Sequence, residues 1–238
     1  MAALEGFRYA EFNDIDSVKS LLSARTAAVM IEAVQGEGGI NVANPVFLKE
    51  LRALCDEKNL LLICDEVQCG MGRTGVFSAY EHSGITPDIV TFAKSLGGGL
   101  PLGAAVASDK VASVFNYGDH GTTFGGNPVS CAASLAFLGL LTPAVLKKVQ
   151  SLGEYLRASL YKLKEKYGFI SDVRGLGLML GAELKFNGKE IVKKCQEDGL
   201  LINCTQDNVL RFLPPFIIDK KDIDTAMEIL EDALKCHK

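Results

Sequence analysis

The sequence lacks the features that mark nucleic-acid-binding, membrane-spanning and secreted proteins. Its 25 basic and 29 acidic residues give a net charge of −4 without a basic cluster, so nucleic acid and anionic membranes are poor candidate partners. No apolar run approaches the roughly 18 residues needed to span a bilayer. The N-terminus lacks the basic and apolar regions of a signal peptide. We therefore expect a cytoplasmic protein that acts on a small molecule.

The cysteine spacings typical of metal sites and disulfide frameworks are also missing. The seven cysteines form an odd set without a C-x-x-C pair, and most lie in apolar or helical patterns: Cys55, Cys64, Cys69, Cys131, Cys195, Cys204 and Cys236. This usage is typical of reduced core thiols in a reducing compartment. No metal site is predicted.

Apolar segments that alternate with helical patterns dominate the first part of the chain. Strands buried on both faces are predicted at residues 27–34 and 60–64 and again at 87–93, and another strand is predicted at 103–107. Helices are predicted after Asn13 and Asp14, from Asn44 and Pro45, at 109–115 and from Pro128 to about residue 141. This order predicts an α/β fold with a mostly parallel sheet covered by helices on both faces.

The pattern changes after Thr142 and Pro143. A long amphipathic helix ends near Gly168, and the remaining segments indicate strands at 178–184, 200–204 and 209–212 with helices at 191–197 and around 223–234. We expect residues 1–142 to belong to a large domain, of which they form the C-terminal part, and residues 143–238 to form a small α+β C-terminal domain.

Polar residues terminate the buried strands of the first part. Glu37, Asp65 and Lys94 follow successive strands, and ligands of open parallel sheets bind beyond the carboxyl ends of the strands. Lys94 lies among apolar neighbours, so burial would lower its pKa and make the amine a nucleophile that condenses with carbonyls. The alternatives are a surface lysine or a structural ion pair, but neither needs the three glycine-rich loops beside these strand ends.

Pyridoxal phosphate (PLP) is a cofactor that explains this set of residues. It needs a lysine to hold its aldehyde as a Schiff base, an acidic group at its ring nitrogen and donors for its phosphate. Lys94, Asp65 and the region of Thr122 and Thr123 offer these chemical types.

Five motifs resemble the class III aminotransferases, which are PLP enzymes of fold type I. They are QGEGG at 35–39, DEVQCGMGRTG at 65–75, PDIVTFAKSLGGGLPLG at 87–103, HGTTFGGNP at 120–128 and LRFLPP at 210–215. Their order along nearly the whole chain makes coincidence very improbable.

The resemblance implies cofactor-binding roles for five residues. Lys94 would hold the PLP aldehyde and then act as the catalytic base, and Asp65 would pair with the ring nitrogen. Gln68 would hydrogen-bond the ring hydroxyl, while Val67 would pack against the ring face. Thr123 would contact the phosphate of a neighbouring subunit's cofactor, which implies a homodimer with shared active sites.

Two further residues are implied to bind substrate. Arg211 would grip a substrate carboxylate bidentately, and Glu37 would pair with Arg211 whenever no second carboxylate occupies it. The implied reaction moves the terminal amino group of N-acetylornithine, or of a related ω-amino acid such as ornithine or 4-aminobutyrate, to 2-oxoglutarate in arginine biosynthesis. Arg73, beside Gly72, is equally compatible with binding a ligand and with ordering its loop. Arg174 is compatible with binding a substrate or with a purely local ion pair, and it is not assigned to the site.

One departure from the family leaves a second reading open. Members carry a long region before the matched part, which supplies a phosphate-binding turn and an aromatic residue that stacks on the cofactor, and neither is found in this sequence. We therefore expect the C-terminal portion of such an enzyme. The alternative is a catalytically silent fragment or binding relic that keeps the motifs.

Overall fold

The computed structural model describes residues 5–235, which build two four-stranded sheets with helices packed on them. The first sheet has the order β1-β2-β3-β4, with β1 Ala28–Ile31, β2 Leu61–Asp65, β3 Ile89–Phe92 and β4 Ala104–Ala107. The second has the order β5-β6-β8-β7, with β5 Ile170–Leu176, β6 Met179–Leu184, β7 Asn203–Thr205 and β8 Val209–Phe212. The helices are α1 Ile15–Leu21, α2 Pro45–Lys58, α3 Asp109–Ala112, α4 Pro128–Leu140, α5 Pro143–Lys166, α6 Lys189–Glu197 and α7 Lys220–Lys235.

The first sheet confirms the predicted α/β fold, with one strand reversed. Strands β1, β2 and β3 pair in parallel, whereas β4 is antiparallel to β3. A parallel partner requires a crossover long enough for a helix. The link between β3 and β4 contains only the 3₁₀ turn Lys94–Gly97, so the chain folds back beside the strand it has just left.

The expectation that these strands are buried on both faces holds only for the middle of the sheet. β1 and β4 are its edge strands. Met30 on β1 is 55% exposed and Val106 on β4 is 53% exposed. By contrast, Leu62 and Cys64 on β2 are completely buried. The prediction that helices cover both faces of the sheet is therefore confirmed at β2 and wrong at the edge strands β1 and β4.

Capping residues fix the start of α2 and thereby its buried face. The Asn44 side chain accepts a hydrogen bond from the Val46 N–H, and Pro45 occupies the first turn, where its missing N–H costs nothing. The buried stripe of α2 contains Phe47, Leu48, Leu51, Leu54 and Cys55. It packs in one cluster with Leu62 and Cys64, which holds the end of β2 in place.

The second sheet is antiparallel and rests on α5 and α7. Its core includes Leu160 on α5, Leu180 on β6, Leu210 on β8 and Leu230 on α7, each at most 1% exposed. Strand β5 was not predicted, because its sequence ISDVRGL does not alternate cleanly between apolar and polar residues. The domain boundary at residue 142 stays a prediction.

Within residues 5–235, no single helix has both the length and the apolar character to cross a bilayer. Only α4 and α5 taken together meet these criteria, and they are bent by 72° at their junction.

Candidate active site

Asp65 lies at the carboxyl end of β2, half-buried next to β3. Its Oδ1 atom accepts hydrogen bonds from the Val67 N–H at 2.9 Å and from the Thr91 hydroxyl at 3.2 Å. Oδ2 has no hydrogen-bond donor within the described part of the chain. The carboxylate is therefore fixed through one oxygen while the other remains available to a ligand.

Lys94 follows β3 in the turn that leads to the glycine-rich segment. Its backbone has φ of 49°, a left-handed conformation that ordinary side chains seldom adopt and that is enriched at functional sites. Two expectations are corrected here. β3 ends at Phe92, so Lys94 does not terminate the strand but opens the Lys94–Gly97 turn, and the lysine is exposed rather than desolvated.

Arg211 lies in the middle of β8 and reaches the loop that follows β1. Its side chain is only 8% exposed, whereas that of its partner Glu37 is 76% exposed, and Nη1 lies 2.7 Å from Glu37 Oε1. The hydrogen bond from Arg211 is the main cause that lowers the pKa of Glu37. The buried guanidinium of Arg211 and the exposed carboxylate of Glu37 thus form the ion pair that the resemblance implied.

Gln68 joins this ion pair as a third member. Its Oε1 accepts from Arg211 Nη1 at 3.0 Å, and its Nε2 donates to Glu37 Oε1 at 3.4 Å. Because a guanidinium can only donate, the amide oxygen must face Arg211. The structure therefore brings together Glu37, Gln68 and Arg211 from three separate motifs.

Val67 and Thr123 have different surroundings. Val67 is half-buried directly after Asp65, next to the carboxyl end of β2. Thr123 is exposed in the long loop before α4, and its side chain hydrogen-bonds no residue among 5–235. Its contact with a cofactor across a dimer stays a prediction.

Three partners of the site were not predicted from the sequence. Glu32, at the end of the first apolar segment, accepts the Gly36 N–H at 2.9 Å; burial chiefly, and then the charge of Asp65, raise its pKa. Asn203 accepts from Arg211 Nε at 3.1 Å, and Thr91 supports Asp65. Glu32 had a signal, a lone charge within an apolar strand, whereas Asn203 depends on the pairing of β7 with β8.

The two other arginines beside glycine loops have structural partners. Arg73 donates to the carbonyls of Leu178 at 3.3 Å and Pro214 at 2.5 Å, and lies over the Phe216 ring. Its burial lowers its pKa to about 10. Arg174 pairs with Asp172 and Glu183 and donates to the Gly39 carbonyl. Both arginines therefore connect elements rather than face the strand ends.

The six thiols within residues 5–235 contribute no second nucleophile to the site. Cys55, Cys64, Cys69 and Cys195 are buried, Cys131 and Cys204 are half-buried, and all six are free. Burial raises the pKa of Cys55 to about 11 and that of Cys64 to about 12. Cys236 lies outside the described residues. No group of three or more His, Cys, Asp or Glu side chains within residues 5–235 is arranged to hold a metal ion.

The donor set fits PLP. Lys94 offers an accessible primary amine, Asp65 has one oxygen without a donor, and Gln68 has a second amide N–H without an acceptor among the described residues. These match the aldehyde, the protonated ring nitrogen and the ring hydroxyl of the cofactor.

Comparison with known proteins gives a consistent result. The class III aminotransferase family model matches residues 7–234. An acetylornithine aminotransferase of Methanocaldococcus jannaschii is 56% identical over 228 residues, which cover 95% of this chain and 57% of that protein. A second acetylornithine aminotransferase, from Caldanaerobacter subterraneus, is 48% identical over 97% of this chain and 59% of its own length.

Solved structures of related enzymes have the same fold. The N-acetylornithine aminotransferase of Stenotrophomonas maltophilia superposes with a TM-score of 0.89 at 38% identity, over 99% of this chain and 64% of that chain. An ornithine aminotransferase of Toxoplasma gondii, described with partial occupancy of PLP at its active site, gives 0.93 at 34% identity, over 99% of this chain and 57% of its own. The chain thus spans less than two thirds of each of these relatives. It belongs to the class III aminotransferases, a PLP-dependent family of fold type I.

Proposed function

We propose that this chain carries the catalytic lysine and the carboxylate-binding arginine of an enzyme that transfers the terminal amino group of N-acetylornithine to 2-oxoglutarate. The observation that carries the proposal is the pair of buried Arg211 and exposed Glu37, held 2.7 Å apart beside the Asp65 strand end. The names of the relatives favour N-acetylornithine, with ornithine and other ω-amino acids as alternative donors.

Lys94 is the residue proposed to do the chemistry. When bound, PLP supplies an aldehyde that condenses with amines and a ring that accepts electrons from the substrate carbon. The Lys94 Nζ amine would hold that aldehyde and, once the substrate amine has taken its place, would move a proton between the cofactor and the substrate carbon that bears the amino group. Its exposure in the turn that follows β3 gives the amine access to the substrate.

Asp65, Gln68 and Val67 are proposed to orient the cofactor ring. Asp65 Oδ2 would accept a hydrogen bond from the protonated ring nitrogen, because Oδ1 already accepts from Val67 and Thr91. Gln68 donates its second N–H to the ring hydroxyl, and the Val67 side chain packs against the ring face. Thr123 is proposed to bind the phosphate of a second subunit's cofactor.

Arg211 and Glu37 are proposed to admit two unlike substrates in turn. A donor without a second carboxylate binds while Glu37 neutralises Arg211. 2-Oxoglutarate displaces Glu37, whose exposed side chain can swing into solvent while the buried guanidinium stays in place. The homodimer, the role in arginine biosynthesis and the cytoplasmic location belong to the same proposal.

The test is the visible absorption that appears when PLP is added to the purified chain. We expect a band that is lost in Lys94→Ala and kept in Lys193→Ala, a control at another exposed lysine. In Lys94→Ala, the rate of amino transfer should fall by at least about a hundredfold. A band that persists without Lys94 would contradict the lysine assignment, and no band in the parent chain would favour the catalytically silent alternative.

A further inference from the structure

Gly36 lies directly against the side-chain amide of Gln68. A Cβ atom built at Gly36 would overlap the amide carbon, nitrogen and oxygen of Gln68, well inside van der Waals contact. Gly36 is buried, and its backbone is not in the left-handed region, so a side chain there is excluded by Gln68 and not by backbone geometry. The missing side chain at position 36 therefore provides the space in which the Gln68 amide lies.

The Gly36 backbone is fixed where it makes this contact. Its N–H donates to Glu32 Oε2 at 2.9 Å. The neighbouring residue, Glu37, is anchored from the second sheet, because its carbonyl accepts from the Thr205 hydroxyl at 2.5 Å and from Gln206 Nε2 at 2.8 Å. An alanine at position 36 would consequently displace the flexible end of Gln68 rather than the loop.

The Gln68 amide occupies a part of Arg211 that a bidentate carboxylate needs. Arg211 Nη1 has two hydrogens, which are used by Glu37 and Gln68, and Nε is used by Asn203. Nη2 has no acceptor within residues 5–235. A ligand carboxylate that binds through the Nη1 and Nη2 fork must therefore take an Nη1 hydrogen that Glu37 or Gln68 now holds.

We propose that Gly36 is a specificity-determining position, which places the Gln68 amide so that it locks Arg211 and Glu37 together against dicarboxylate ligands. The inference rests on the proposed role of Arg211 and deepens it. Gln68 stabilises the closed pair from both sides, since it accepts from Arg211 and donates to Glu37. Moving the Gln68 amide away frees one Nη1 hydrogen of Arg211 and removes a hydrogen bond to Glu37. Both changes favour binding of a dicarboxylate.

The test measures the binding of glutarate, an unreactive dicarboxylate, to the 238-residue chain without added PLP. By isothermal titration calorimetry, Gly36→Ala should bind glutarate about three- to tenfold more tightly than the parent chain, the effect of losing one hydrogen bond. Gln68→Ala should show a similar gain. In the double variant, Gly36→Ala should add nothing to Gln68→Ala, because the glycine acts only through that amide.

The control is Gly168→Ala, which introduces the same methyl group where no atom lies within 4 Å. It should bind glutarate like the parent chain. Unchanged or weaker binding by Gly36→Ala, or a gain that persists in the Gln68→Ala background, would overturn the inference while leaving the carboxylate site intact.

A different result would overturn the proposed function as well. If Arg211→Lys binds glutarate as the parent chain does, Arg211 is not the carboxylate site. Gly36 and Gln68 then cannot control carboxylate binding through it. Lys94 takes no part in this measurement, so failure of the PLP absorption test leaves the glutarate result unaffected and the two failures can be told apart.

Discussion

Three arginines of this chain show how neighbours decide the role of a side chain. Arg73 is half-buried with carbonyl partners, and Arg174 pairs with carboxylates on its own sheet. Arg211 is buried, but its acidic partner Glu37 lies largely in solvent. A buried cation with an exposed counter-ion can exchange that partner for a ligand at little cost in packing. This difference separates the proposed substrate residue from the structural ones.

Glu66, next to Asp65, is a buried carboxylate with a structural role. It is 1% exposed and accepts the N–H groups of Ala79 at 2.8 Å and Tyr80 at 3.0 Å. We predict that Glu66→Ala lowers the free energy of unfolding by about 2–4 kcal/mol, because two backbone N–H groups lose their buried acceptor. Urea denaturation measures this change, and Glu50→Ala on the exposed face of α2 is the control.

The pH dependence at Glu66 has a definite sign. Burial is the main cause that raises its pKa above the ordinary value of 4.5. Above pH 4.5 the unfolded chain loses this proton first, so stability falls as the pH rises through the folded pKa. Glu66→Gln sets an NH₂ group against a backbone N–H and destabilises, but it cannot ionise. We predict that the loss of unfolding free energy caused by Glu66→Gln, measured by urea denaturation, becomes smaller between pH 4.5 and 7. A loss that stays constant over this range would contradict the prediction.

At the scale of elements, local signals predicted more than long-range pairing. Asp14, Asn44 and Thr142 cap α1, α2 and α5 at or next to the predicted starts, because a cap is encoded within a few residues. The reversed β4 and the unpredicted β5 depend on partners distant in sequence. The same holds in the site, where strand ends indicated Asp65 but Asn203 became visible only through its pairing with β8.

The turn between β5 and β6 packs against the glycine-rich loop 70–75. Leu178 N–H donates to the Arg73 carbonyl, and a Cβ at Gly177 would overlap the Thr74 backbone. We predict that Gly177→Ala costs about 1 kcal/mol for its left-handed backbone and roughly 1–3 kcal/mol more for the overlap. The control, Gly84→Ala, has a similar backbone with φ of 66° and open space around it. Equal losses of unfolding free energy in the two variants would mean that the contact is unimportant.

At the scale of the whole molecule, exposed apolar side chains are concentrated between residues 100 and 140. They include Val106, Phe115, Phe124, Val129, Leu135 and Leu140, which are 53–83% exposed. They belong to β4, α4 and the loop that carries Thr123. Large exposed apolar surfaces mark interaction sites. This surface is consistent with the proposed dimer, in which Thr123 serves a second subunit.

The dimer proposal predicts association that depends on this surface. In sedimentation velocity, the chain should form assemblies that grow with concentration. Leu135→Glu, at a position 72% exposed on α4, should shift them towards the monomer, because a carboxylate would be buried at the interface without a partner. Leu201→Glu is the control, since Leu201 is 82% exposed but lies outside residues 100–140. A parent chain that stays monomeric at every concentration would leave Thr123 without a second cofactor to contact and would exclude the shared active site for this chain.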